Sequence, residues 1–191
     1  MRQTTTELAS SGAMKESDIG SRRTRLREFQ AQLVERMQAA SSGTQPHTSQ
    51  LGVMIGQTRW LLNLQEAGEI VSVGSITKVP LTQDWFLGLT NIRGNLISVV
   101  DLANFRGQPQ TPIDKESRII AFAPALSFNS GLLVSRVLGL RNIAEMQPQP
   151  LSETGEAPWA GQHYLDRESQ VWTELNLSLI VQDPQFLHVG L

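Results

Sequence analysis

The stretch from Leu87 to Leu102 constrains the fold more than any other. Two apolar strands flank Asn91-Ile92-Arg93-Gly94-Asn95. Gly94 can supply the positive φ that a tight reversal requires, so the segment reads as a hairpin. A branched side chain there, as in Gly94→Val, is expected to clash. Asn91 is expected to bond the local backbone, as asparagine does in turns. Beyond the turn, Leu96, Ser98, Val100 and Leu102 share one face, while Ile97, Val99 and Asp101 share the other. Both faces are largely apolar, so this strand is expected to be covered on both sides. Asp101, near its end, is expected to accept turn or strand-end N–H groups.

The surrounding chain keeps a short-strand rhythm. Leu51, Val53 and Ile55 alternate, Gly56-Gln57-Thr58-Arg59 turns, and Trp60–Leu64 resumes an apolar run, which predicts a hairpin. Ile70–Val73 is short and β-branched, and Val79-Pro80 breaks the pattern after it. Asp84–Leu87 reads as a short helical turn, and Phe105–Ser117 as a polar loop. Strands are predicted at Ile119–Ala123 and Leu132–Leu140, separated by a turn at Ser127–Gly131. Pro148, Pro150 and Pro158 make Glu145–Gly161 extended or irregular. Val171–Leu177 alternates again. Ser178 is expected to N-cap a short closing helix starting at Leu179, which Pro184 limits or restarts. Eight or more short strands with turns between them predict a mainly β chain, built as small barrels or a sandwich.

The first 48 residues read as an extension of a domain spanning 49–191. Met1–Gly20 is rich in Thr, Ser and Gly and is expected to be disordered. It holds no apolar core of the kind a secretory signal needs. From about Arg22 to Ala40 the spacing of Leu26, Phe29, Leu33, Met37 and Ala40 predicts an amphipathic helix, closed by Ser41-Ser42-Gly43. No apolar run approaches the ~18 residues of a membrane span. With no cysteine, disulfides and Cys-held zinc are ruled out. The chain is therefore expected to be cytoplasmic.

Motifs that carry chemistry are scarce in this chain. His47, His163 and His188 share no ligand spacing. Glycine-rich phosphate loops and Gly-x-Ser-x-Gly elbows do not occur. The pairs Glu66/Glu69 and Asp114/Glu116 read as surface charge. No enzymatic activity and no cofactor are expected. Small β-barrels often bind oligonucleotides, and this is the alternative reading. Its charge argues against it: residues 1–50 carry seven Lys/Arg and five Asp/Glu, whereas residues 51–191 carry nine and thirteen. The larger part is acidic, the wrong sign for a phosphate backbone. Charged residues make up only 18 % of the chain, against roughly 25 % in soluble proteins, which leaves room for apolar contact patches.

Gly88-Leu89-Thr90-Asn91-Ile92-Arg93-Gly94, followed by Ser98-Val99-Val100-Asp101-Leu102, resembles the hallmark of the CheW family. The flanks resemble it too: Val79-Pro80 before Trp85-Phe86-Leu87-Gly88, the Leu51–Leu64 hairpin, and Arg118-Ile119-Ile120 before Gly131-Leu132-Leu133-Val134. The likeness spans about residues 49–187. Ser98 stands where the family has proline and Ser135 where aspartate is common. The leader, with Leu26-Arg27-Glu28-Phe29-Gln30, looks like that of PilI-type members of type IV pilus chemosensory systems. The resemblance implies two intertwined five-stranded SH3-like β-barrels with an N-terminal amphipathic helix and a short C-terminal helix. It implies an adaptor that binds the regulatory domain of a CheA-type histidine kinase and the cytoplasmic tip of a methyl-accepting chemoreceptor. It also implies that Arg93 pairs with Glu69, beside which Ala67 and Ile70 are candidate groove residues.

Overall fold

The computed structural model describes residues 49–150 and 157–191. The leader expected to be disordered and the helix expected at about 22–40 lie outside the described residues. Among those described, the chain forms eleven strands in two sheets. The first sheet runs β8-β1-β2-β11-β10-β9 and the second β3-β6-β7-β5-β4. The strands are β1 (Ser49–Ile55), β2 (Thr58–Asn63), β3 (Ala67–Ser72), β4 (Phe86–Ile92), β5 (Asn95–Val100), β6 (Arg118–Phe122), β7 (Ser130–Val134), β8 (Arg136–Asn142), β9 (Gln147–Gln149), β10 (Ala160–Leu165) and β11 (Val171–Leu175). The mainly β class is as expected. The first sheet has six strands rather than five, because Gln147–Gln149 pairs with β10 despite Pro148. A proline at a sheet edge loses no ladder hydrogen bond it would otherwise need.

The chain changes sheet twice with few residues to spare. Only Leu64, Gln65 and Glu66 separate β2 from β3, with Glu66 N–H donating to Asn63 O at 3.0 Å. Ser135 alone separates β7 from β8, and its N–H donates to Met54 O at 2.8 Å. These switches interleave the two halves of the sequence in both sheets.

The core divides into two layers along β5, the strand expected to be covered on both sides, and its neighbours β6 and β7. Val99, Ile119, Ala121 and Leu133 face one cluster with Leu87, Ile92 and Ile97. Their neighbours Val100, Ile120, Leu132 and Val134 face the other, against Leu51, Val53, Trp60 and Leu62 of the first sheet. Successive residues of a strand point to opposite faces, so β5, β6 and β7 form a wall between two interiors. Leu96, near the turn, escapes the pattern and is exposed.

The second sheet closes on itself. The chain beyond β3 returns to β4 through a bridge between Thr77 and Leu89, with N–H···O distances of 2.8 and 2.9 Å. Thr90 Oγ1 adds a bond to Ser75 O at 2.9 Å. Gly88 makes this approach possible: its φ is +128°, and a Cβ there would overlap the Thr77 carbonyl oxygen.

The structure departs from local expectation in four places. The strand expected at Leu132–Leu140 is two strands, β7 and β8, divided between the sheets at Ser135. Asp84 and Trp85 form a turn, with Phe86 N–H donating to Gln83 O, but Phe86 and Leu87 already belong to β4. β5 stops at Val100 because Asp101 becomes the N-cap of α1 (Leu102–Phe105). The closing helix is two four-residue turns, α2 (Leu177–Ile180) and α3 (Pro184–Leu187). Its cap is Asn176, not Ser178. Asn176 Oδ1 accepts from Leu179 N–H at 2.9 Å, and the Ser178 hydroxyl turns back onto the same oxygen. Starting two residues earlier lets Leu177 bury completely.

Asp101 is itself fully buried. Its carboxylate accepts from Ala103 N–H at 3.1 Å, Asn104 N–H at 3.4 Å, Thr111 N–H at 2.6 Å and Thr111 Oγ1 at 2.8 Å. It thereby ends β5, starts α1 and pins the loop at Thr111. Hydrogen bonds to a charged group contribute more than neutral ones, and removing the acceptor strands buried donors. Asp101→Ala is therefore expected to cost on the order of 3 kcal/mol in urea unfolding.

Gly88→Ala is expected to cost roughly 3 kcal/mol or more, through overlap and strain together. Gly94→Ala, with open space around its Cβ position, is expected to cost only about 1–2 kcal/mol from backbone strain. Equal losses for the two in the same unfolding experiment would contradict the closure described.

Candidate functional site

The β4–β5 turn has two residues, with Ile92 paired to Asn95. Both central residues are left-handed: Arg93 at φ +51° and Gly94 at φ +89°. Such turns match the twist of a hairpin. No neighbour lies within 4 Å of the Gly94 Cβ position, so the expected clash is instead an intrinsic backbone cost. Asn91 Oδ1 accepts from Gly94 N–H at 2.8 Å and braces the turn.

This geometry throws Arg93 across the end of the second sheet. Its Nε lies 2.8 Å from Glu69 Oε1 on β3. β3 and β4 are the two edges of that sheet, so the ion pair spans the seam near one end while the Thr77–Leu89 bridge closes it further along. The Arg93 side chain is 80 % exposed.

Beside the pair lies an open groove of about 390 Å³. It is lined by Glu69, Ile92, Arg93, Asn95 and Ile97, together with Ala121, Phe122, Pro124, Ser127, Phe128 and Asn129 from the end of β6 and the connection to β7. The ionisable side chains in this lining are Glu69 and Arg93, which satisfy each other. The remainder is mostly apolar surface and backbone. A lining of this kind suits a convex apolar partner with a few polar contacts.

The structure brings Glu69 and Arg93 together, with Asn91 and Gly94 supporting the turn. It does not place Ala67 or Ile70 in the groove's lining. Ala67 packs against the inter-sheet core, and Ile70 stands 42 % exposed on β3. An irregularity between Ala67 and Ile70 shifts the register of β3 against β6 and breaks simple alternation there. Asp101 is buried in the interior. Sequence reasoning misses the wall built by Pro124–Asn129. Its one sequence signal is Phe128, an aromatic residue set within turn-forming neighbours. Of the aromatics that could have stacked bases, Trp60, Trp159 and Trp172 are buried.

The model of the CheW-like domain family matches residues 49–185. The chain is 26 % identical over 145 residues to Protein PilI of Pseudomonas aeruginosa, covering 74 % of this chain and 80 % of that one. It is 30 % identical over 113 residues to Protein FrzA of Myxococcus xanthus, covering 58 % and 68 %. The crystal structure of the scaffolding protein CheW from Thermoanaerobacter tengcongensis superposes with a TM-score of 0.60 at 24 % identity, over 71 % of this chain and 88 % of that one.

An ion pair whose arginine lies open to solvent, as Arg93 does, contributes about 0–1 kcal/mol to stability. Arg93→Ala is therefore expected to leave the unfolding midpoint nearly unchanged. A loss well above 1 kcal/mol would show that the pair holds the seam closed energetically.

Proposed function

The chain belongs to the CheW-like domain family, and on that footing we propose that it is a non-catalytic adaptor that couples a methyl-accepting chemoreceptor to a CheA-type histidine kinase. Residues 49–191 act as the coupling domain and residues 1–48 as an appended extension. The likeness to PilI supports a pathway that controls type IV pili and twitching motility. The adaptor works in the cytoplasm and is recruited to membrane-bound receptor arrays. No helix among the described residues is long and apolar enough to cross a membrane, which fits recruitment through a protein partner.

The observation that carries this reading is the groove whose rim is the Arg93–Glu69 pair. The receptor tip, a helical hairpin, lays apolar side chains against Phe128 and Pro124 over a floor of Ile92 and Ile97, while the ion pair fixes the shape of the rim. Ile70, exposed beside Glu69, extends the contact beyond it. The kinase regulatory domain takes a separate surface, so both partners are held at once. Each bound partner then raises the effective concentration of the other, and a signal passes where occupancy of one surface biases the other.

The test is retention of the chain on an immobilised receptor-tip fragment. Arg93→Ala is expected to weaken retention about tenfold, equivalent to ~1.4 kcal/mol of binding. The double exchange Arg93→Glu with Glu69→Arg restores the pair in reverse and is expected to recover most of that loss. Unchanged retention in Arg93→Ala would remove the groove from the proposal. Failure of the double exchange to recover binding would mean that Arg93 contacts the receptor directly rather than through Glu69.

A further inference from the structure

The groove's most exposed aromatic residue is held from behind by one that never reaches the surface. Phe128 is half-buried and follows Ser127, which is left-handed at φ +50°. The backbone beside it is tied to β5: Ser98 donates to Asn129 O through its N–H at 3.0 Å and its hydroxyl at 3.1 Å. That ties the base of the turn to β5, and the tie opens when the Phe128 ring leaves its packing. The ring takes its place from two aromatic neighbours, Phe122 at 6.3 Å and Phe186 at 6.2 Å between centroids.

Phe186 sits on α3 and is 2 % exposed. It has little freedom to repack. It stacks on Trp85 at 5.8 Å and 15°, and meets Phe105 edge-on at 5.7 Å. The segment carrying it is tied on both sides. Before it, Asp183 caps α3, accepting from Gln185 N–H at 2.8 Å, and also takes the Trp159 indole N–H at 3.0 Å. After it, Gln83 N–H donates to Val189 O at 2.9 Å and Leu191 N–H to Leu81 O at 3.1 Å. Aromatic pairs prefer particular orientations, so a ring clamped this way orients the one packed on it.

We infer that Phe186 is a positioning residue for the partner groove: clamped by Trp85 and the α3 segment, it sets the Phe128 ring that the partner meets. As a statement about partner binding, this rests on the proposed adaptor function. The Asp183–Leu191 segment therefore acts on the groove without touching its ligand.

Two measurements on the full chain test this. In the free protein, amide exchange of Ser98 N–H reports whether the 127–129 turn is held. Phe186→Leu is expected to speed this exchange about tenfold more than a control of matched global stability. Leu61→Ala serves as that control, since Leu61 is buried and belongs to neither core cluster. With a receptor-tip fragment, Phe186→Leu is expected to lower the affinity of the folded protein about fivefold, and Leu61→Ala to leave it unchanged. Asp183→Asn loosens α3 from Trp159 while keeping the ring, and is expected to move the same amide by a smaller factor should Phe186→Leu not fold.

Ser98 exchange that follows global stability alike in all variants overturns the inference. Wild-type affinity in Phe186→Leu, with the tip bound normally, overturns it as well. A tip fragment that fails to bind even the wild type counts against the adaptor reading instead, and the exchange comparison then decides the role of Phe186 alone.

Discussion

Three strands without a polar face hold this molecule together. β5, β6 and β7 carry apolar residues on both faces, and each must be covered on both sides. Val99 and Val100, Ile119 and Ile120, and Leu132 and Leu133 are adjacent pairs that point into different interiors. No single layer of structure can bury such strands, so one sheet must curl around their first face and another must pack on their second. At about 25 cal/mol per Å² of apolar surface removed from water, exposing either face would forfeit much of the stability of a domain this size. The two-sheet architecture follows from that requirement, and the short switches at Glu66 and Ser135 deliver the remaining strands to the sheet that needs them.

The groove is a by-product of how the second sheet closes. Its seam is drawn shut in one place by backbone, where Gly88 lets Thr77 approach Leu89, and bridged in another by side chains, where Arg93 reaches Glu69. The groove opens beside that end, next to the β6–β7 connection. The left-handed turn at Arg93 is thus a folding device and a site-building one together, because the same conformation that reverses the chain aims the guanidinium across the seam.

Much of this is legible in the sequence, for reasons that differ residue by residue. The two-faced strand shows itself because apolar character on both parities has few other physical explanations. Gly94 and the hairpin are legible because turn chemistry is local. The Arg93–Glu69 contact is reached through a family resemblance, since no spacing rule joins residues from different strands. The hidden part is tertiary. Ser178 is a sound cap by local preference, but burial of Leu177 moves the start of the helix to Asn176. Pro148 discourages a strand until an edge position with no need of its N–H makes one possible. Ala67 and Ile70 group with Glu69 by proximity in sequence, and the irregularity in β3 separates them. Phe122 and Phe128 come together only because β6 and β7 are joined by a tight connection with a left-handed Ser127.

The ion pair at the rim has a different value free than bound. In water the exposed pair is worth little, because solvent of dielectric about 80 screens it and two long side chains must be held still. A partner that covers the groove lowers the effective dielectric toward about 20, which strengthens the attraction roughly fourfold. The same covering strips water from both charges, and that desolvation cancels much of the gain. What survives is selectivity. A partner that leaves Arg93 and Glu69 facing each other keeps the compensation, whereas one that inserts a charge of either sign between them must desolvate three groups and satisfy two. On the proposed adaptor function, affinity then comes from the uncharged lining, chiefly Phe128 and Pro124 over a buried floor of Ile92 and Ile97, and depends on the Phe128 ring being where the partner expects it. On that same proposed function, a neutralised rim beside an apolar lining divides the work, with the charges choosing the partner and the apolar surface holding it.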